Sequence, residues 1–194
     1  MSERIQNIDH HEEIAYNGRK LRSKLELKTA EALDALGIPY SYEERKITLI
    51  DKFRCPYQKD LVRACTYMPD FIIGPLMIEC KGFETPEWKL KKKLIFKWLQ
   101  ENEPDTIFYQ IHDAGRQLLE VLDKHLTYLG FALRVTSKPT RKQPAVSRMY
   151  DSVAEALDEL NDLKGVSLGA IMSNLMGKRE YVKGYKFELE KLTL

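Results

Sequence analysis

The chain has 194 residues, 43% of them hydrophobic and 31% charged, with a net charge of +2. That balance suits a folded domain with a sizeable core and excludes a disordered or fibrous chain. No apolar run approaches the roughly 20 residues of a membrane helix, and the polar start "MSERIQNIDHHEE" has no apolar targeting core, so a cytoplasmic setting without a membrane partner is expected.

At the N-terminus His10, His11, Glu12 and Glu13 are a candidate metal cluster, although a solvated terminus is the simpler reading. "SKLELKTAEALDALG" then places Leu25, Thr29, Ala32, Leu33 and Leu36 on one helical face, with Gly37 as the stop. "YSYEERKITLI" alternates as a strand, and "DKFRCPYQKDLVRAC", broken by Pro56, reads as an exposed arm. Cys55, Cys65 and Cys80 are too few for a disulfide framework or a four-ligand zinc site, and a Cys55–Cys65 pair is disfavoured.

Two apolar strands flank Gly74-Pro75. After them come a helix from about Glu87 to Glu101, a strand "TIFYQI", a helix from about Arg116 to Leu129 and a strand "FALRV". The helix carries Lys89, Lys91, Lys92, Lys93 and Lys97, and Lys138, Arg141 and Lys142 follow later. Both groups are candidate phosphate contacts, set against the plainer reading of a solvated face. The order αβββαβαβ predicts an α/β fold with a mixed β-sheet flanked by helices.

The stretch "YMPDFIIGPLMIECKGF" puts charge where strands look buried. A hairpin centred between Gly74 and Pro75 opposes Phe71 to Ile78 and Asp70 to Glu79, so two carboxylates share one face. Alternation brings Lys81 to the same face. Opposed like charges are destabilising, and a divalent cation would remove that penalty. Two carboxylates with an adjacent amine suit Mg²⁺-assisted phosphodiester hydrolysis. The competing reading is a solvated strand end with Lys81 as counter-ion, and spacing alone leaves both open.

Pro69-Asp70 followed by Glu79-Cys80-Lys81 resembles the Pro-Asp…(Asp/Glu)-x-Lys signature of restriction-endonuclease-like nucleases. With "RSKLELKTAEALDALGIPYSYEE" before it and "KGFETPEWKLKKKLIFKWLQENEPDTIFYQI" after it, the stretch from Arg22 to Ile111 is similar to the phage endonuclease I family of Holliday-junction resolvases. The resemblance implies Asp70 and Glu79 as metal ligands, with the Cys80 backbone carbonyl beside them, Lys81 as the motif lysine and Glu26 as a helix-borne metal-site glutamate. Glu26 also completes a capping box with Ser23. The resemblance further implies Mg²⁺, with Mn²⁺ able to substitute, branched DNA as substrate, and a homodimer that exchanges a segment within about Ile47 to Thr66.

"TSKPTRKQPAVS" reads as a linker, so the expected division is a nuclease domain at 1–136, a basic linker at 137–148 and a small helix-turn-helix-like module at 149–194. That last segment resembles the modular DNA-binding repeats attached to phage and intron-encoded homing nucleases. It offers Ser167, Ser173, Asn174, Lys178 and Arg179 to DNA. Its acidic first helix keeps a protein-contacting hairpin open. The expected function is a Mg²⁺-dependent endonuclease on branched DNA; the alternatives are a homing or nicking enzyme on a linear duplex, or a DNA-binding protein without catalysis.

Overall fold

The structure, a computed structural model, describes residues 13–57 and 59–192, so His10, His11 and Glu12 lie outside the described residues. The chain opens with strands β1 (Ile14–Tyr16) and β2 (Arg19–Leu21). They are joined by Asn17-Gly18 at φ 46° and 76°, as a type I′ turn requires of both central residues. Tyr16 Oη and Asn17 Nδ2 both donate to Asp34, which fixes this hairpin on helix α1 (Lys24–Ala35). Ser23 caps α1 and Gly37, at φ +67°, follows its end. The stretch expected to form one strand over 40–50 is two, β3 (Ser41–Tyr42) and β4 (Ile47–Ile50), parted where Glu43 turns to φ 48°.

The arm is a short exposed hairpin of β5 (Phe53–Arg54) and β6 (Leu61–Val62), and the chain returns as β7 (Cys65–Tyr67) against β4. Cys65 faces Ile50 while Cys55 lies beyond the Arg54–Leu61 pair, so the two thiols sit at different levels and stay free. Strands β8 (Phe71–Ile73) and β9 (Leu76–Cys80) pair Phe71 with Ile78, Ile72 with Met77 and Ile73 with Leu76, the register expected from the sequence. Gly74 adopts φ +54°, which the first residue of a type II′ turn needs, and the fixed negative φ of Pro75 suits the second.

Helix α2 (Pro86–Asn102) then crosses over to β10 (Ile107–Ile111), which runs parallel to β9. The sheet order β10-β9-β8-β3 makes a mixed sheet of α/β type. Strand β9 is buried on both faces. Leu76, Ile78 and Cys80 enter the main core with Leu33, Phe71 and Leu118. Met77 faces a second cluster of Ile47, Tyr67, Trp88, Ile95 and Leu99 under α2. Glu79, two residues on from Met77, therefore points to the α2 side.

The C-terminal part departs from the expected division. After α3 (Arg116–Asp123), strand β11 (Phe131–Ser137) is flanked by β12 (Ser147–Tyr150) and β13 (Tyr185–Lys191) in one antiparallel sheet. The residues expected as a linker close the β11–β12 pair, with Ser137 N donating to Val146 O and Thr140 N to Gln143 O. Helix α4 (Val153–Glu159) is capped by Ser152 as expected, and α5 (Leu168–Leu175) follows. Val153, Ile171, Met172 and Phe187 share the main core with Leu21, Leu33 and Leu118, so the boundary at 137–148 divides no hydrophobic core. Asp123, at the end of α3, accepts from the Val153 and Ala154 amides and so caps α4 from outside its own segment. Asn174, offered to DNA in the sequence reading, is buried. Its amide donates to Arg179 O and Glu180 O and its carbonyl accepts from Phe187 N. It holds the turn after α5 against β13 rather than facing outward. Ser167 caps α5 and Ser173 donates to Gly169 O within the same helix.

Candidate metal and nucleic-acid site

The hairpin register carries the site. Pairing of β8 with β9 stops at Phe71, and one residue further the Cys80 amide donates to Asp70 Oδ2 at 2.7 Å. The Asp70 backbone carbonyl meanwhile accepts from Glu43 N, which ties that residue to the loop after β3. On β9, Glu79 is only 6% exposed, and its Oε2 accepts from Tyr67 Oη at 2.9 Å. One oxygen of each carboxylate is thus anchored, while Asp70 Oδ1 and Glu79 Oε1 accept no hydrogen bond among the described residues.

Burial pushes the Asp70 carboxyl up to about 8, and the neighbouring Glu79 charge adds to the shift against the pull of the Cys80 amide. Burial likewise raises Glu79 to about 7, opposed by the Tyr67 hydrogen bond and by the charges of Lys81 and Lys91. Carboxyls raised chiefly by burial, with neighbouring charges acting on both, are the kind of perturbed pair found at functional sites.

Lys81 stands where alternation places it, half-buried, with Nζ 5.0 Å from the centroid of the Trp88 ring. Trp88 Nε1 donates to Gln110 Oε1 at 2.8 Å, and Gln110 is the β10 residue beside Glu79. His112 Nδ1 contacts the Lys81 backbone oxygen, and Lys81 N donates to Ile111 O at 2.9 Å, so the lysine's backbone is held on both sides.

Glu26 is 6% exposed and meets three donors. Ser23 Oγ reaches its Oε1 at 2.7 Å, and Arg22 N and Tyr42 Oη reach its Oε2 at 2.8 and 2.6 Å. The capping role is therefore realised, and Tyr42, on the strand beside β8, links this carboxylate to the Asp70 side of the sheet. Glu26 also adds negative charge felt by Asp70 and Glu79. The Cys80 side chain takes no part. It is buried on the core face, 3.5 Å from Thr29 Oγ1, and burial pushes its thiol well up.

Electrostatics tie the four residues: Asp70 feels Glu79 and Glu26, and Glu79 feels Lys81 and Glu26. They do not form a full ligand set, because among the described residues no group of three or more His, Cys, Asp or Glu is arranged to hold a metal. Two half-open carboxylates fit a hard divalent ion that keeps most of its waters, as Mg²⁺ does, and do not fit a closed site of protein ligands.

Sequence reasoning missed Tyr67, Tyr42, Trp88 and Gln110, because none is charged and each reaches the site only through tertiary packing. Lys91, grouped with the other helix lysines, stands apart from them on α2: its Nζ lies 5.8 Å from the Tyr67 ring centroid and its charge acts on Glu79. Comparisons of the chain with family models, curated proteins and solved structures give no match.

Proposed function

We propose that the chain is a Mg²⁺-dependent DNA endonuclease of restriction-endonuclease-like architecture that cuts branched DNA as a homodimer, in the manner of the phage endonuclease I resolvases. The observation that carries this reading is a half-buried Asp70 and a buried Glu79, each with one oxygen left open, near the Lys81 amine. The mixed sheet flanked by α1 and α2 supports the architecture.

Asp70 and Glu79 would hold the Mg²⁺, with the Cys80 backbone carbonyl as a further oxygen. When bound, the ion supplies charge neutralisation at the scissile phosphate and acidifies a water. The protein's own groups do the rest. Cys80 N and Tyr67 Oη fix one oxygen of each carboxylate, which leaves Asp70 Oδ1 and Glu79 Oε1 for the ion. Lys81, whose Nζ rests against the Trp88 face, would present an ammonium to the non-bridging oxygens where charge develops in the transition state. Glu26, buried and tied to Tyr42 and to the α1 cap, adds negative charge felt by both carboxylates. One such site cuts one strand, so paired cuts across a junction require two chains.

The alternative, a homing or nicking endonuclease whose C-terminal module reads a linear duplex, loses Asn174 as a base contact because that residue is buried, and keeps the exposed Ser167, Lys178 and Arg179. Cleavage of a four-way junction, a nicked duplex and a matched duplex, with Mg²⁺ and with chelator, tests the proposal. Junction cleavage that needs Mg²⁺ and is abolished by Asp70→Ala while junction binding persists is the expected result. Chelator-resistant cleavage, or none by the wild type, would refute it.

A further inference from the structure

We propose that Lys91 is a second phosphate-binding amine of the cleavage site, contacting the DNA backbone beside the scissile phosphate. This assignment rests on the nuclease reading above. On α2, Trp88, Ile95 and Leu99 are buried and mark the stripe that faces the sheet. Lys91 and Lys92 lie half-buried along that stripe, whereas Lys89, Lys93 and Lys97 are exposed. A half-buried ammonium needs compensation. Lys92 has it, from Glu84 and from Gln110 Oε1.

Lys91 forms no ion pair among the described residues; the lysines of α2 that do are Lys92 and Lys97. Its amine rests instead against the ring of Tyr67, the residue whose hydroxyl holds Glu79. That ring packs on Trp88 with centroids 6.2 Å apart, and Trp88 in turn carries the Lys81 amine. Two adjoining aromatic faces thus present two ammonium groups around one carboxylate, one from β9 and one from α2.

Charge balance says what the second amine is for. Asp70 and Glu79 offset a divalent ion, and the Glu26 carboxylate is already met by Arg22 N, Ser23 Oγ and Tyr42 Oη, which leaves both lysines to meet anions. A DNA strand supplies one negative charge per phosphate. Lys81 answers the scissile phosphate and Lys91 its neighbour, so Lys91 acts on substrate binding rather than on the chemical step.

Steady-state cleavage of a four-way junction by the wild type, Lys91→Gln, Lys91→Arg and Lys81→Gln, across a salt series, separates these roles. Lys91→Gln should raise KM on the order of tenfold with kcat nearly unchanged, and should lower the salt dependence of KM by about one phosphate contact. Lys91→Arg should restore most of both, and Lys81→Gln should act on kcat. If Lys91→Gln leaves KM and the salt slope as in the wild type, or lowers only thermal stability, the assignment to Lys91 is wrong while the nuclease reading stands. A wild type without Mg²⁺-dependent cleavage would remove both.

Discussion

Because Asp70 and Glu79 are held near neutral pKa by burial, the metal-free protein should lose stability as the pH rises from 6 to 9. In the folded state burial pushes the Asp70 and Glu79 carboxyls up to about 8 and about 7, from ordinary values of 3.8 and 4.5. Their contribution is fully present below the ordinary values and is lost as the pH rises through the folded ones, since each proton then lost leaves a buried charge unpaired. One pH unit across a group that is protonated only in the folded state is worth about 1.4 kcal/mol. From pH 6 to 9 the pair should therefore cost about 2–4 kcal/mol, which for a chain of this length is a fall in Tm of about 6–12 °C.

Mg²⁺ should offset most of the trend, because it binds the deprotonated pair. A ligand at a hundred times its Kd adds about 2.7 kcal/mol, and protons compete with it at pH 6 but hardly at pH 9. Differential scanning calorimetry at pH 6, 7.5 and 9, with EDTA or Mg²⁺, measures both effects. The Asp70→Asn, Glu79→Gln double variant, which has no carboxyl left to titrate, should lose the slope and the Mg²⁺ response together. A metal-free Tm that is flat or rises across this range, or a double variant that keeps the wild-type slope, would show that the two carboxyls are not raised by burial.

Three further outcomes follow from the contacts. Tyr67→Phe removes the hydrogen bond that favours ionised Glu79, so the acid limb of the cleavage pH profile should move to higher pH while maximal cleavage is largely kept. Asp123→Ala strips the cap from α4 and should destabilise by about 1–2 kcal/mol in urea melts, with exchange protection lost first at the Val153 and Ala154 amides. A chain ending at Thr140 should fail to fold, because β11 would lose both β12 and β13 as partners. Circular dichroism of that fragment with native helix content and a cooperative melt would contradict the shared core.

The hairpin that carries the site was legible because its signals are local: alternating Phe71, Ile73, Leu76 and Ile78 on one face, and a turn whose first residue must accept positive φ. The caps at Ser23 and Ser152 and the stop at Gly37 were legible for the same reason. The Asn17-Gly18 hairpin carried an equally plain turn signal in a stretch too polar to be read as strands.

The C-terminal arrangement was not local. Strand β13 pairs with β11 across two intervening helices, and prolines in the expected linker mark a loop between paired strands as readily as a boundary between domains. The site's uncharged half was hidden likewise, since Tyr67 and Trp88 read as ordinary core and reveal their role only when their polar atoms are seen at Glu79 and Gln110.

If Asp70 and Glu79 hold a divalent ion between them, anomalous diffraction from crystals soaked in Mn²⁺ will locate it. One manganese peak bonded to both carboxylates, absent from the Asp70→Asn, Glu79→Gln variant, is the predicted result. An empty pocket at saturating Mn²⁺, or a peak bound elsewhere on the chain, would contradict it.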